Sequence, residues 1–221
     1  MLPLYPGYAL STLARAFASF ATMGGMQTTT REPAWQQAAV LTGAFVAVLW
    51  VLEIFDAATG HPLDAYGVQP RTEDGLVGIA TAPMLHFGFD HLISNTVPVL
   101  VLGFLALATG IGRGLLATAI IWVVGGLGVW LFAQPGSNHA GASILIFGWI
   151  VFLIVRGFLN RRSTEILIGV AVFLLYSGAL LGVLPGQPGV SWQGHLFGAI
   201  GGFLAARLLT TRARDEARVT Y

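Results

Sequence analysis

Long, mostly apolar stretches separated by short polar segments run along most of the chain. A helix needs about 20 mostly apolar residues to cross the hydrocarbon core of a bilayer. Four stretches are long enough for this: residues 36–57, 91–108, 114–155 and 166–206. The last two are too long for one crossing, and each is divided by a polar segment containing Gly and Pro, at 134–141 and 185–194. The pattern predicts six membrane-spanning helices, and therefore an all-α, polytopic membrane helix bundle.

The composition also places the chain in a membrane. Of its 221 residues 55% are hydrophobic and only 10% are charged, with a mean hydropathy of +0.75; soluble domains carry about 25% charged residues. A net charge of +1 argues against a nucleic-acid partner. Because the chain has no cysteine, disulfides, thiolate metal sites and a cysteine nucleophile are excluded.

The arginines give the expected orientation, since short cytoplasmic loops collect Lys and Arg. With six spans, both ends of the chain lie on one side, and that side holds all but one of the arginines: Arg15, Arg31, Arg113, Arg156, Arg161, Arg162, Arg207, Arg212, Arg214 and Arg218. Only Arg71 falls on the other side. We therefore expect a multi-pass protein of the cell (cytoplasmic) membrane with both termini in the cytoplasm.

Three segments follow from this topology. Residues 1–35 are expected to form a cytoplasmic or interfacial tail, the alternative being a weak signal peptide. Residues 36–210 form the six-span membrane domain, and residues 211–221 form a short cytoplasmic tail. The external loop at 59–85 mixes charged residues with Gly and Pro, and it is either a structured cap or a flexible connector.

Spans two, four and six all run inward in this topology, so each begins at the external face. His86, His91 and Asn95 lie at the start of span two, Ser143 at the start of span four and His195 at the start of span six. His91 and Asn95 are four residues apart and so share one helical face. We therefore expect these polar side chains to lie at the same depth.

Small residues on spans four and six predict that these two helices pack closely. Gly198 and Gly202 form a small-xxx-small pair just after His195, and span four carries Gly148. Contact between these surfaces would bring His195 towards Ser143, where an imidazole nitrogen could accept the hydroxyl proton.

Each polar residue also has a structural interpretation. A serine at a helix start is commonly a cap, and an asparagine in a membrane helix often joins two helices. Convergence of several polar groups at one level favours chemistry, because such groups inside a membrane are costly. Zinc is a rival for His86, His91, His139 and His195, but the chain has no HExxH motif and no carboxylate at a matching spacing. We expect no metal and no cofactor.

Three motifs resemble those of the rhomboid intramembrane serine proteases, and the resemblance covers residues 36–210. HFGFDHLISN at 86–95 resembles the family's His-x4-His-x3-Asn on its second helix. GAS at 141–143 resembles the Gly-x-Ser opening of its fourth helix, and GHLFGAIGG at 194–202 resembles the His-x-x-Gly-x-x-x-Gly of its sixth. The combination is far more specific than any one of these motifs.

The resemblance implies a catalytic dyad with no acidic third member. Ser143 would be the nucleophile and His195 the general base, acting through an acyl-enzyme. His91, Asn95 and the backbone N–H of Ser143 would form the oxyanion hole. Residues that would support the site are His86, Gly141, Gly198 and Gly202. The substrates implied are single-span or polytopic membrane proteins, cut within the lipid bilayer near the external face.

One position departs from the family pattern. Most active members carry a glycine directly after the serine, where this chain has Ile144. A β-branched residue does not readily adopt positive φ. Ile144 is the basis of an alternative function, a rhomboid-like pseudoprotease that binds membrane helices without cleaving them.

Overall fold

The computed structural model describes residues 32–219, with side chains up to residue 210. Within this part the chain is helical, and its helices are α1 (Ala34–Thr59), α2 (Glu73–Thr81), α3 (Phe89–Ala108), α4 (Ile111–Phe132), α5 (Ser143–Asn160), α6 (Ser163–Tyr176) and α7 (Trp192–Val219). The all-α fold class is therefore confirmed. Most of the N-terminal tail predicted at 1–35 and the side chains of 211–221 lie outside the described residues.

Four of the described helices, α1, α3, α4 and α5, are long and apolar enough to cross a membrane. Many of their large apolar side chains point outward, including Val40, Val51 and Val97, each more than 60% exposed, as is typical of a surface in contact with lipid. A multi-pass membrane protein is confirmed, while the count of six spans stays a prediction.

The fifth predicted span is shorter than its apolar sequence indicated. Helix α6 is a 14-residue apolar helix that ends at Tyr176, and the chain then continues into a 3₁₀ helix at Ala179–Val183. Helix α3 is also irregular, since Pro98 lies inside it and is followed by a π-helical segment at Val99–Gly103. Proline removes a backbone donor and its ring crowds the preceding turn, which accounts for the widened helix there.

Helix α5 is the central element, and it packs closely on α7 through glycines. A Cβ on Gly148 would lie 2.9 Å from the carbonyl oxygen of Gly198, and a Cβ on Gly202 would lie 2.8 Å from the carbonyl carbon of Gly148. The close packing that the glycine spacing predicts is confirmed. It places the start of α7 beside the start of α5.

The loop between α1 and α3 is a structured cap, which decides between the two alternatives left by the sequence. Arg71 in this loop donates to the carbonyl oxygens of Leu131 at 2.7 Å and Ala133 at 2.9 Å, at the end of α4. The indole of Trp122 donates to Ile79 of α2 at 2.8 Å. This loop, residues 59–85, is called the loop cap, and hydrogen bonds at Arg71 and Ile79 hold it on α4.

Candidate active site

Helix α5 begins at Ser143, and the side chain of this serine does not cap it. The N-cap position is Ala142, which makes no side-chain capping bond. Ser143 Oγ forms no hydrogen bond within the part of the chain that the structure describes, and the residue is half-buried. Ser143 therefore does not act as the cap of this helix.

A cavity of about 520 Å³ opens over Ser143. Its lining brings together four residues of the predicted site, from three different helices: Ser143, His195, His91 and Asn95. Asn138 and His139, from the polar segment before α5, also line it. Irregular polar backbone at membrane depth is tolerated where it is buried or lines water, so this cavity is suited to hold water beside the serine.

The imidazole of His195 is held in a defined orientation. Its ring stacks on Phe147 with centroids 3.9 Å apart and an interplanar angle of 9°. Its Nδ1 lies 3.0 Å from the carbonyl oxygen of Gly182, and since a carbonyl only accepts, Nδ1 carries the proton. In the neutral ring this leaves Nε2 unprotonated. Sequence reasoning did not identify the Gly182 carbonyl, because it lies in the irregular segment after α6.

No hydrogen bond joins Ser143 Oγ to His195 among residues 32–210. Both side chains line the same cavity, and catalytic hydrogen bonds are often long without substrate and tighten when it binds. The structure thus places both residues, which are far apart in the sequence, on the wall of one cavity.

His91 and Asn95 sit on the side of the cavity formed by α3. The Asn95 amide donates to the His91 carbonyl at 2.7 Å, which uses one of its two N–H bonds. The His91 ring lies directly against Gly141: a Cβ at that position would be 2.6 Å from His91 Cε1, and Gly141 has a φ of +125°. Only glycine suits position 141, because a side chain would displace the imidazole and strain the backbone.

His86 is buried and is not among the residues that line the cavity. It is 2% exposed, its Nε2 accepts the Ala142 N–H at 3.4 Å, and its ring meets that of His91 edge-on at 5.0 Å. Burial, and secondarily the nearby His91, lower the pKa of His86 to about 3. It therefore stays neutral and can accept the Ala142 N–H, just ahead of Ser143.

A chain of hydrogen bonds that includes two cavity-lining residues, His139 and Ser191, was not predicted from the sequence. Ser137 donates to the Gln134 carbonyl at 2.5 Å, so its oxygen accepts from His139 Nε2 at 2.7 Å. His139 Nδ1 then accepts from Ser191 Oγ at 2.7 Å. Burial lowers the pKa of His139, consistent with this neutral form. Both ring nitrogens are occupied, which argues against the zinc role considered for His139.

Ser191 also caps α7. Its Oγ accepts the Gly194 N–H at 3.3 Å, the N-cap arrangement expected for a serine just before a helix. The sequence did carry a signal for it, since Ser191 directly precedes an apolar helix. The loop before α5 and the loop before α7 are thereby joined through His139 and Ser191.

A separate group at the end of α1 has the atoms to hold a cation. Asp56, His61 and Asp64 each offer one ligand atom, all within 4.8 Å of one another. Both Asp56 oxygens are already used, one by His61 Nδ1 at 3.0 Å and one by the Leu63 N–H at 2.6 Å. Burial, and then the charge of Asp56, raise the pKa of Asp64. We assign this group a structural role in starting the loop cap.

Comparison with known proteins points to one family. The model of the Rhomboid domain matches residues 73–212. An uncharacterized protein of Mycobacterium tuberculosis is 47% identical over 194 residues, covering 84% of this chain and 81% of that protein. One of Mycobacterium leprae is 45% identical over 202 residues, covering 86% and 80%. Rhomboid protease GluP of Bacillus subtilis is 29% identical over 172 residues, covering 74% of this chain and 33% of that protein. On the domain match, which spans most of the helical bundle, this chain belongs to the rhomboid family.

Proposed function

We propose that this protein is a serine endopeptidase that cleaves membrane-helix substrates with Ser143 as nucleophile and His195 as general base. The observation that carries the proposal is the shared cavity lined by Ser143, His195, His91 and Asn95. Family membership supports the reaction class. The hydrogen bond from His195 Nδ1 to Gly182 supports the role of His195, because it leaves Nε2 as the basic nitrogen.

Cleavage proceeds in two steps. Ser143 Oγ attacks the carbonyl carbon of the scissile bond while its proton passes to His195 Nε2, and that proton then goes to the leaving amine nitrogen as the C–N bond breaks. The product is an ester between Ser143 and the acyl part of the substrate. Water attacks this ester, gives a proton to His195, and the proton returns to Ser143 Oγ as the acid is released.

A backbone carbonyl takes the orienting role that a carboxylate has in a triad. In a Ser-His-Asp triad the acidic residue fixes the imidazole tautomer and stabilises the imidazolium. Here Gly182 fixes the tautomer without a buried negative charge, and Phe147 fixes the plane of the ring. This arrangement explains how a dyad functions in a site beside lipid, where a buried carboxylate is costly.

The oxyanion is stabilised by donors from two helices. The free N–H of the Asn95 amide and the His91 ring line the cavity on the α3 side. The backbone N–H of Ser143 is in the first turn of α5, where the first four N–H groups have no partner inside the helix. We propose that these groups together form the oxyanion hole and stabilise the negative charge that develops on the substrate carbonyl oxygen.

The substrate is expected to be a membrane-spanning helix cut near the external face, with both termini of the enzyme in the cytoplasm. A peptide bond in a regular helix is shielded, so the substrate has to unwind locally, which favours helix-breaking residues near the cleavage site. The loop cap and the segment at 134–141 cover this end of the bundle.

The second candidate, a rhomboid-like pseudoprotease that binds membrane helices without cleaving them, rests on Ile144. This residue would be unsuitable if its position required positive φ or a close approach of His195 or substrate to the backbone. Ile144 is the second residue of α5, and the only non-glycine residues with positive φ among those described are His61, Arg71 and Arg161. The helical φ of Ile144 supports the protease proposal over this alternative.

The test is cleavage of a single-span reporter by the purified protein in liposomes. Ser143→Ala and His195→Ala should each abolish cleavage, and Ser143→Ala should abolish labelling by a fluorophosphonate. Ser163→Ala is the matched control, because Ser163 also begins a helix but lies at the other end of the bundle. Cleavage that persists in Ser143→Ala would refute the proposal, as would a wild type that neither cleaves nor labels.

A further inference from the structure

A second cluster of polar residues lies at the opposite end of α5, away from the serine. Arg156 is 5% exposed, and its Nη2 pairs with Glu165 Oε1 at 3.2 Å. Its Nε and Nη1 are buried and have no hydrogen-bond partner among residues 32–210. Buried donors are almost always paired because an unpaired one loses its hydration without compensation. A guanidinium left in this state indicates that an acceptor is missing from its surroundings.

Arg156 lines a pocket of about 310 Å³ that is rich in positive charge. Arg113 from the start of α4 and Arg162 from the loop before α6 line the same pocket, and Glu165 is the one acidic residue lining it within the part of the chain whose side chains are described. Three arginines and one glutamate give a net charge of +2. Glu165 is already engaged by Arg156 and by the Asn160 amide at 2.6 Å, so it does not satisfy the remaining donors.

The position of the pocket relates it to the bilayer surface. It is formed where α3 and α5 end and α4 and α6 begin, and 13 residues of α5 at 1.5 Å each separate Arg156 from Ser143 by about 20 Å. Apart from Thr109 its other lining residues are apolar, and they include Leu105, Leu153 and Ile168. Ile168 is 38% exposed on the outer surface of the bundle. The pocket thus combines a cationic end with an apolar side that is open to lipid.

We propose that this pocket binds the phosphate of an anionic membrane lipid, with one acyl chain lying along Leu105 and Ile168. The unpaired Nε and Nη1 of Arg156 carry three N–H donors, and hydrogen bonds from a guanidinium to phosphate oxygens are strong because both partners are charged. Arg113 and Arg162 add charge from two other segments of the chain, and basic pockets between membrane helices are suited to lipid headgroups. The inference does not depend on the proposed protease activity.

A simple ion pair between α5 and α6 is the competing explanation. It accounts for Arg156 Nη2 and Glu165, but it leaves Nε and Nη1 unexplained, and it gives no role to Arg113 or Arg162. Arg113 Nη1 donates to the Thr109 carbonyl oxygen at 3.0 Å. Arg162 Nη1 is 4.0 Å from Glu165 Oε1, and the Arg162 side chain is 77% exposed. A bound phosphate would engage all three arginines.

The experiment measures lipid binding to the delipidated full-length protein in detergent. Dioleoyl phosphatidylglycerol is titrated against dioleoyl phosphatidylcholine, which has the same chains but no net charge, with native mass spectrometry and the thermal midpoint as readouts. The test variant is Arg113→Gln with Arg162→Gln, which keeps the buried pair of Arg156 and Glu165. The control is Arg161→Asn, which removes a neighbouring charge outside the pocket, at a φ of +54° that asparagine tolerates.

We expect wild type and Arg161→Asn to bind the anionic lipid equally and in preference to phosphatidylcholine. The double variant should bind it about thirtyfold more weakly, and Arg162→Gln alone about fivefold more weakly, which keeps the test open if the double variant does not fold. Equal binding of both lipids, or no loss in Arg162→Gln and the double variant, would overturn the proposal. Inorganic phosphate that stabilises the protein as well as the lipid does would overturn the assignment to a lipid.

Discussion

Gly198 of α7 packs directly on the backbone of Ile144 in α5, so that a Cβ at position 198 would lie 3.1 Å from the Ile144 carbonyl carbon. Ile144 follows Ser143, and Gly198 lies three residues after His195, on the same helical face as the imidazole. This contact between two backbones therefore controls how close the proposed base comes to the proposed nucleophile. Only glycine, whose side chain is a hydrogen atom, fits at position 198 against the Ile144 backbone.

Replacing Gly198 with alanine should separate the two helices. The added methyl meets backbone, which cannot rotate away, and overpacking of this kind costs about 1–3 kcal/mol. In a protein of this size that corresponds to a fall of about 5 °C in the thermal midpoint. The rate of reporter cleavage should also fall, and by more than the lower stability alone explains, because His195 moves with α7. Gly43→Ala is the control, because nothing lies within 4 Å of a Cβ there; an equal loss in both variants would contradict the prediction.

Ile144→Gly should weaken the protein without improving catalysis. Ile144 is 3% exposed, and its side chain lies against Gly125 of α4, where a Cβ would collide with it, and against Gly194 of α7, where a Cβ would be 3.1 Å from its Cγ1. Those glycines make room for the isoleucine, so glycine at 144 leaves a cavity, for which about 2–5 kcal/mol is typical. Thermal unfolding measures the loss of stability, and reporter cleavage measures the activity of the variant. A variant that is as stable as wild type and more active would show that Ile144 restrains the site.

The helix directions and the convergence of the site residues could be predicted because their signals are local. Apolar stretches mark the helices, and the alternation of their directions places the starts of three of them at one level. Gly148, Gly198 and Gly202 also signalled the contact of α5 with α7 through a spacing of four residues. Each of these signals is contained in a short segment, so one sequence was sufficient to find it.

Contacts made by irregular backbone could not be predicted in the same way. Gly182 meets His195 only because α6 ends at Tyr176 and the chain turns through a 3₁₀ helix, whereas the apolar pattern continues without a break. The bond between His139 and Ser191 joins two loops 52 positions apart. The unpaired donors of Arg156 likewise become visible only when the surroundings of the side chain are known. Such contacts depend on tertiary packing and leave no periodic pattern.

Asn95→Ala should reduce the rate of cleavage rather than the stability of the fold. The loss of one oxyanion-hole donor typically costs about 10²–10³ in rate, and we expect this loss in kcat with little change in KM. Ser94→Ala is a suitable comparison, because Ser94 is the adjacent residue and also donates to the His91 carbonyl, at 2.7 Å. A similar fall in both variants, or a large rise in KM alone, would contradict a role for Asn95 in the transition state.

Stability should fall as the pH is lowered below about 6.5, because of His86. The pKa of His86 is lowered from 6.5 to about 3 in the folded protein, by burial first and by His91 second. Between these two values the unfolded chain binds a proton that the folded protein does not, so acid favours unfolding. The effect of one such group is about 1.4 kcal/mol per pH unit, or about 4 °C per pH unit in the thermal midpoint.

The variant His86→Gln tests this assignment, since glutamine does not titrate and its side-chain oxygen can accept the Ala142 N–H in place of Nε2. Thermal midpoints measured in detergent from pH 7 to pH 4.5 should show a shallower slope for His86→Gln than for wild type. Part of the slope should remain in His86→Gln, because the buried His139 also has a lowered pKa. Repeating the series in 0.5 M salt separates this effect from general charge repulsion, because salt screens exposed charges far more than buried ones. Equal slopes for the two proteins would mean that His86 is already charged, or absent from the folded core, at pH 7.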